Sequence, residues 1–242
     1  MKALVTGASS GIGRELVKLL CSEKDNTVIG VARSEKALME LKEGFKECFI
    51  PVPADLSRMS GVDTVVREVR EKLGELDLLV NNAGFGLYKK ILEHTDEELL
   101  SMTMVNFITP ILLTKKLLNI MKPGSTVVYV ITAGVYVLLD DLPVYGATKT
   151  ALHYAVNIIR RELEEKGIHV LTVYPGAVVT PFHEKAGYKI EKGVKPEEVA
   201  RAILEGVKKK KKEVYTPAYL SIAKILTPLM IHVKGPIQTR KQ

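Results

Sequence analysis

The chain has 242 residues, 46% of them hydrophobic, and a formal net charge of +7, which suits a single α/β domain with a sizeable core. No stretch reaches the ~18 uninterrupted apolar residues of a membrane span, and the chain enters KALVTG at once, which leaves no room for a signal peptide. The two cysteines, Cys21 and Cys48, show no paired spacing, which argues against a disulfide framework and favours a cytoplasmic protein. The five histidines are scattered, which together with the cysteine spacing argues against a metal site.

Short apolar runs alternate along the chain with segments of helical periodicity. The runs are rich in Val, Ile and Leu, as is typical of buried parallel strands. They lie at 3–6, 27–32, 48–52, 76–81, 125–131, 169–174 and 213–216. Segments 13–22, 61–73 and 199–208 have helical spacing. This alternation predicts an α/β, doubly wound Rossmann-type fold with a mostly parallel seven-stranded sheet flanked by helices, in which ligands bind beyond the carboxyl ends of the strands.

A long helix is predicted before the fifth strand. Thr95 and Glu98 have the spacing of a capping box, and the helical pattern continues to about Met121. Pro110 lies inside this span and predicts a kink, because proline has no N–H to donate to the preceding turn. Pro196, followed by two glutamates, indicates another helix start.

A glycine-rich loop follows the first predicted strand, in TGASSGIGREL. Gly7, Gly11 and Gly13 have the spacing Gly-x-x-x-Gly-x-Gly directly before a helix. Glycines allow the backbone to turn tightly and approach a pyrophosphate, whose charge then lies at the helix N-terminus. The predicted nucleotide-binding residues in this loop are Gly7, Ser9, Ser10, Gly11, Ile12 and Gly13.

The end of the second strand bears on which nucleotide binds. Many NAD sites have an acidic residue there for the ribose hydroxyls, whereas this chain has Ala32 followed by Arg33. A guanidinium can pair with a 2′-phosphate that a carboxylate would repel. The sequence therefore favours NADP(H), with NAD(H) as the alternative.

The third and fourth strands end in polar residues that would face the same crevice. Asp55 can accept from an adenine amino group while Leu56 offers a backbone N–H, although Asp55 can equally cap a helix. The segment NNAG adds Asn82, Ala83 and Gly84. Neither segment by itself is specific for a nucleotide-binding site.

Tyr145 and Lys149 lie four residues apart, which places them on one face of a helix. Chance supplies about one such pair in a chain of this composition, and Tyr188 with Lys192 matches as well. That second pair is interpreted as chance, because it lies in a loop flanked by glycines.

The motifs TGASSGIG, NNAG, YGATK and PGAVVT, in this order, resemble the short-chain dehydrogenase/reductase family in its shorter, single-domain branch. The resemblance covers about residues 1–207 and is specific for the family but not for a substrate. It implies a reaction in which a hydride passes between NADP(H) and a carbonyl or alcohol.

The resemblance assigns roles to four catalytic residues. Tyr145 matches the family's general acid/base, and Lys149 the lysine that lowers its pKa and holds the nicotinamide ribose. One ammonium at ~4 Å supplies ~4 kcal/mol at an effective dielectric constant of ~20, enough to move a phenol from ~10 to near 7. Thr132 stands where the family usually has a serine that holds the substrate oxygen, and Asn106 matches the asparagine of a proton relay.

The same resemblance assigns the segment after the sixth strand to the nicotinamide. Pro175 and Gly176 shape the turn beside it, Val178 adds backbone contacts, and Thr180 bonds its carboxamide. Substrate recognition is expected from 85–88, 135–143 and 182–193, whose mixed apolar content suits a mostly apolar alcohol or ketone.

The catalytic domain is predicted to span 1–217. The remaining segment, 218–242, does not match the family and is predicted to pack on the domain or on a partner subunit, with covering of the active site or weak peripheral membrane association as alternatives. The resemblance also implies a homodimer or homotetramer formed through helices at about 96–121 and 145–166.

Two other functions stay open at this point. A nucleotide-binding sensor or scaffold with the same fold would bind the cofactor without turnover. The lysine run 208–212 could bind nucleic acid or an anionic membrane, but no aromatic residues are interleaved with it, which favours a solvated helix end and no nucleic-acid partner.

Overall fold

A computed structural model of the chain describes residues 1–188, 190–226 and 232–233. The strands are β1 (Lys2–Thr6), β2 (Thr27–Ala32), β3 (Phe49–Pro53), β4 (Leu78–Asn81), β5 (Thr126–Val130), β6 (Leu138–Leu139), β7 (His169–Pro175), β8 (Glu213–Thr216) and β9 (His232–Val233). The α-helices are α1 (Gly11–Cys21), α2 (Glu35–Gly44), α3 (Met59–Leu73), α4 (Asp96–Thr103), α5 (Thr109–Leu117), α6 (Pro143–Glu164), α7 (Pro181–Lys185), α8 (Pro196–Lys208) and α9 (Ala223–Leu226).

Seven strands form one sheet in the order β3-β2-β1-β4-β5-β7-β8, and every pair of neighbours is parallel. The predicted doubly wound Rossmann-type fold is therefore confirmed. The strand order reverses between β1 and β4, and this switch point opens a crevice at the carboxyl ends of the strands. All seven predicted strands are present, with ends shifted by at most two residues.

Each face of the sheet is covered by helices, which explains why the strand sequences are apolar on both sides. One buried cluster joins the sheet to α3, α5 and α6 and includes Val65, Leu113 and Leu152. The other joins it to α1, α2 and α8 and includes Leu16 and Ile203.

The helical span before β5 is divided in the middle. Thr95 and Glu98 form the predicted capping box at the start of α4. A π-helical turn, Met104–Ile108, then separates α4 from α5, which has Pro110 in its first turn. Pro110 has no N–H to donate to the carbonyl of Asn106, so the regular helix is interrupted at this point. Asn106 is also one of the four residues with a predicted catalytic role.

The two cysteines form a disulfide, Cys21–Cys48, with Cα atoms 5.5 Å apart. The expectation from cysteine usage was wrong. Cys21 ends α1 and Cys48 precedes β3, so both lie at the amino edge of the sheet, opposite the crevice. Their separation of 27 residues hides this proximity, because β2 and α2 intervene.

The first part of the C-terminal segment lies on the domain itself. A 3-10 turn, Ala218–Ile222, and α9 follow β8, and Leu220 and Ala223 pack against the core face formed with α6. Strand β9 pairs with β6 in a separate two-stranded sheet. The rest of the segment, 227–231 and 234–242, lies outside the described residues.

The five lysines of 208–212 all contact protein acceptors. The ion pairs are Lys208–Glu23, Lys209–Glu205, Lys211–Glu205 and Lys212–Glu164, and Lys210 donates to the carbonyl of Gly124. This favours an ion-paired surface over a nucleic-acid contact. Within the described residues, no helix has the length and apolar content needed to cross a membrane.

Candidate active site

The loop after β1 has the geometry of an anion cradle. Gly7 and Gly11 have φ of 72° and 55°, a region that favours glycine. A Cβ on Gly13 would lie 2.3 Å from the carbonyl oxygen of Gly7, so helix α1 can approach the loop only because this residue is glycine. Ser10 makes no side-chain cap and the first turn of α1 has no acidic residue, so the backbone N–H groups at its start suit a pyrophosphate.

The end of the crevice beside β2 and β3 contains Arg33 and Asp55. Asp55 accepts from the backbone N–H and the hydroxyl of Ser57, at 3.0 and 2.8 Å. Burial raises the pKa of Asp55, but these hydrogen bonds, with the charges of Arg33 and Arg58, outweigh burial and hold it below its usual value. Asp55 is thus ionised and also organises the turn before α3.

A hydrogen-bond cluster fixes the loop after β4 against β1. The hydroxyl of Thr6 accepts from the backbone N–H groups of Asn82 and Ala83, both at 3.0 Å, and the Asn82 amide donates to the Thr6 carbonyl at 2.9 Å. Thr6 was not singled out in the sequence; its signal is its position as the last residue of β1. The cluster sets the shape of the crevice floor.

Tyr145 and Lys149 lie on the inward face of α6 and both line the crevice. The Lys149 ammonium lies 6.0 Å from the centre of the Tyr145 ring. Lys149 is 3% exposed and donates to the carbonyl of Val130 at the end of β5, at 2.9 Å. The two side chains therefore face one site, as the four-residue spacing predicts.

The pKa of Tyr145 is shifted in the opposite direction to the expected one. Burial raises the pKa of the Tyr145 phenol, although a hydrogen bond with Thr132 lowers it in part. Burial also lowers the pKa of Lys149 to about 8. The expected acidification of Tyr145 does not hold for the chain by itself, because desolvation is the largest effect on its pKa and the Lys149 ammonium donates its hydrogen bond to Val130.

Asn106 lies behind the crevice and is fully buried. Its amide group accepts from the Phe85 N–H at 3.0 Å and donates to the Phe85 carbonyl at 2.8 Å. The same nitrogen lies 3.0 Å from the Thr148 hydroxyl on α6. A Cβ on Gly84 would lie 3.1 Å from the Asn106 amide oxygen and 3.3 Å from the Lys149 nitrogen, so Gly84 leaves the space between these two groups open.

Thr132 begins the short turn that follows β5. Its hydroxyl accepts from the Gly134 N–H at 3.1 Å, donates to the Pro175 carbonyl at 3.4 Å and lies next to the Tyr145 phenol. The Thr132 hydroxyl and the Tyr145 phenol therefore face the same part of the cleft.

The segment after β7 closes the crevice over the glycine loop. A Cβ on Gly11 would lie 2.9 Å from the Thr180 methyl group, so the two loops touch. Thr180 accepts from the Phe182 N–H at the start of α7, and Val178 pairs with Val194 across an isolated bridge.

The crevice is a single cleft of about 830 Å³. It is lined by almost every predicted site residue: Gly7, Ser9, Ser10, Gly11, Ile12, Arg33, Asp55, Leu56, Asn82, Ala83, Gly84, Thr132, Tyr145, Lys149, Pro175, Gly176, Val178 and Thr180. Gly13 and Asn106 lie behind the lining. The fit to a dinucleotide rests on the glycine cradle, the start of α1 and the space beside Gly84.

Further residues complete the cleft. Tyr88, His183 and Tyr188 line its outer end and lie in the segments 85–88 and 182–193 that were predicted to recognise the substrate. Leu220 and Ala223 come from the C-terminal segment, for which covering of the active site was one of the predicted alternatives, and neither was singled out as a site residue. The contact of Leu220 with Gly176 depends on how the chain turns after β8, so it could not be predicted from a local pattern.

Known proteins share this architecture and are similar in sequence. The model of the short chain dehydrogenase family matches residues 1–190. An uncharacterised oxidoreductase of Staphylococcus epidermidis is 30% identical over 204 residues, which are 84% of this chain and 88% of that protein. A short-chain dehydrogenase from Streptomyces avermitilis is similar in structure, with a TM-score of 0.82, 28% identity, and coverage of 95% of this chain and 91% of that chain. An alcohol dehydrogenase from the archaeon Thermococcus sibiricus, complexed with 5-hydroxy-NADP, has a TM-score of 0.76, 27% identity, and coverage of 88% and 94%.

Proposed function

Because this chain belongs to the short-chain dehydrogenase family, we propose that it is an oxidoreductase that transfers a hydride between NADP(H) and a carbonyl or alcohol. The observation that carries the proposal is the convergence of Tyr145, Lys149 and Thr132 beside the glycine cradle in one cleft. A nicotinamide bound there supplies or accepts the hydride at the substrate carbon.

Tyr145 acts as the proton donor in the direction of reduction. The pKa of this phenol is raised by burial, so it holds its proton at neutral pH. As the carbonyl carbon gains a hydride, its oxygen gains the Tyr145 proton, and the alcohol forms. Thr132 supplies a second hydrogen bond to that oxygen, from a hydroxyl already next to the phenol.

Lys149 and Asn106 hold the groups around the phenol. The Lys149 ammonium stabilises the phenolate left after proton transfer, since it lies on the same face of α6. Asn106 fixes the backbone of Phe85 and the helix carrying Lys149, through Thr148. Its part in a proton relay stays a proposal from the family resemblance.

The preference for NADP(H) rests on charge. Arg33 lines the adenine end of the cleft, where Ala32 replaces the carboxylate found in many NAD sites. Arg33 is therefore the proposed partner of a 2′-phosphate, with NAD(H) as the alternative cofactor.

The test is oxidation of NADPH and NADH across a panel of ketones by the wild type and by Tyr145→Phe. Tyr154→Phe is the matched control, because Tyr154 lies on the same helix but is 74% exposed. We expect turnover to fall by at least about a hundredfold in Tyr145→Phe and to be unchanged in Tyr154→Phe. Tight cofactor binding without turnover of any ketone would favour the sensor or scaffold instead. Arg33→Ala should reduce the preference for NADPH over NADH.

The oligomeric state rests on the family resemblance and the cellular location on cysteine usage, and neither rests on the geometry of the cleft. A homodimer or homotetramer would bury exposed apolar residues of α4 and α6, of which Leu100 and Ile158 are examples. Light scattering during gel filtration tests this. A cytoplasmic location stays a prediction, and the disulfide removes the argument from cysteine usage on which it rested.

A further inference from the structure

The outer half of the cleft contains a continuous row of rings that starts at the catalytic tyrosine. Tyr145 contacts Phe182 edge-on, with ring centres 5.2 Å apart, and Phe182 contacts His183 in the same way at 5.0 Å. His183 lies 6.1 Å from Tyr88, which lies 5.4 Å from Tyr188. All five rings line the cleft and all are only partly buried, so their free surfaces face the cleft and not the core.

A polar pair lies within this row. The Tyr88 hydroxyl and Nδ1 of His183 are 2.9 Å apart. Burial lowers the pKa of His183, so its ring is neutral at pH 7. A neutral imidazole paired with a phenol leaves one donor or one acceptor free at each group, according to the tautomer.

A negative charge lies beside the pair. Burial and the charge of Asp141 raise the pKa of Tyr88, so its phenol keeps its proton. One carboxylate oxygen of Asp141 is buried and has no hydrogen-bond partner among the described residues. The surroundings of Tyr88 therefore favour a ligand group that can donate a hydrogen bond and disfavour an anionic one.

Resting on the proposed function, we propose that the substrate is a hydroxylated aromatic ketone or alcohol. Its ring packs against Phe182 and Tyr188 while its carbonyl oxygen reaches Tyr145, and its hydroxyl binds the Tyr88–His183 pair. A hydroxyl suits the pair because it both donates and accepts. Aromatic rings suit the row because they pair with one another beyond simple area burial.

The test compares three ketones of similar size: acetophenone, its ring-saturated counterpart cyclohexyl methyl ketone, and para-hydroxyacetophenone. We expect kcat/KM for acetophenone to exceed that for the saturated ketone by about fivefold, and Tyr188→Leu to remove this preference. We expect para-hydroxyacetophenone to be preferred over acetophenone by a further factor of about five, and Tyr88→Phe to abolish that preference alone. Tyr154→Phe is the control for loss of a tyrosine hydroxyl outside the cleft.

Binding is measured separately from turnover, so that the two proposals fail differently. Calorimetric Kd values for the three ketones are obtained on Tyr145→Phe with NADPH present, after thermal melts show that the variants are folded. Turnover of all three ketones at rates within twofold of one another, with equal Kd values, would overturn the substrate class and leave the reaction intact. Absence of turnover with the expected order of Kd values would remove the reaction and support the ligand preference.

Discussion

The charge state of Lys149 should set the upper pH limit of ketone reduction. Lys149 is almost fully buried and its amine has one carbonyl partner, Val130. Burial lowers its pKa from 10.5 to about 8, a cost to the charged form of about 3 kcal/mol at 1.36 kcal/mol per pKa unit. The protonated fraction then falls from roughly nine-tenths at pH 7 to roughly one-tenth at pH 9. Because the ammonium stabilises the phenolate left on Tyr145, kcat/KM for reduction should fall about tenfold over this range.

The assay is the pH profile of kcat/KM for the ketone at saturating NADPH, because this parameter contains the proton-transfer step. Lys149→Arg is the matched variant, since a guanidinium stays charged throughout, and its residual activity should show no decline near pH 8. Tyrosinate absorbance of wild type minus Tyr145→Phe is followed in parallel. We expect no tyrosinate signal from Tyr145 below pH 9, because burial raises its pKa. A phenolate appearing near pH 7, or a profile that stays flat to pH 10, would refute this reasoning.

Three further tests address separate parts of the structure. Asn106→Ala should lower the free energy of unfolding by about 2–4 kcal/mol in denaturant titrations, because both backbone groups of Phe85 lose their buried partner; a loss under 1 kcal/mol would contradict this. Thr132→Ser should keep kcat within about fivefold, whereas Thr132→Ala should reduce it about a hundredfold by removing the hydrogen bond to the substrate oxygen; equal rates would show that the hydroxyl has no role. Replacing Cys21 and Cys48 by serine should cost about 3.5 kcal/mol of stability for a loop of this length with unchanged kinetics, since the bridge lies at the opposite edge of the sheet; altered KM values would indicate coupling to the cleft.

Local pattern determined much of the fold. The sheet strands are short runs of mostly apolar residues, and a strand buried on both faces needs that content wherever it lies in the chain. The capping box at Thr95 and the proline at Pro110 also act within one or two turns, so their effects could be predicted. The glycine loop could be predicted for the same reason, because a positive φ and a close approach of the backbone are properties of a few consecutive residues.

Only the tertiary structure decided the properties that depend on neighbours distant in sequence. The disulfide forms because the order β3-β2-β1 brings Cys48 to the end of α1. The ring row joins Tyr88 to residues about a hundred positions later, and Leu220 reaches the cleft from the C-terminal segment. For Tyr145 and Lys149, the four-residue spacing placed both groups on one face of α6, but the direction of their pKa changes followed from burial. Spacing along a helix is set by the backbone alone, whereas desolvation depends on every element that packs around the side chain.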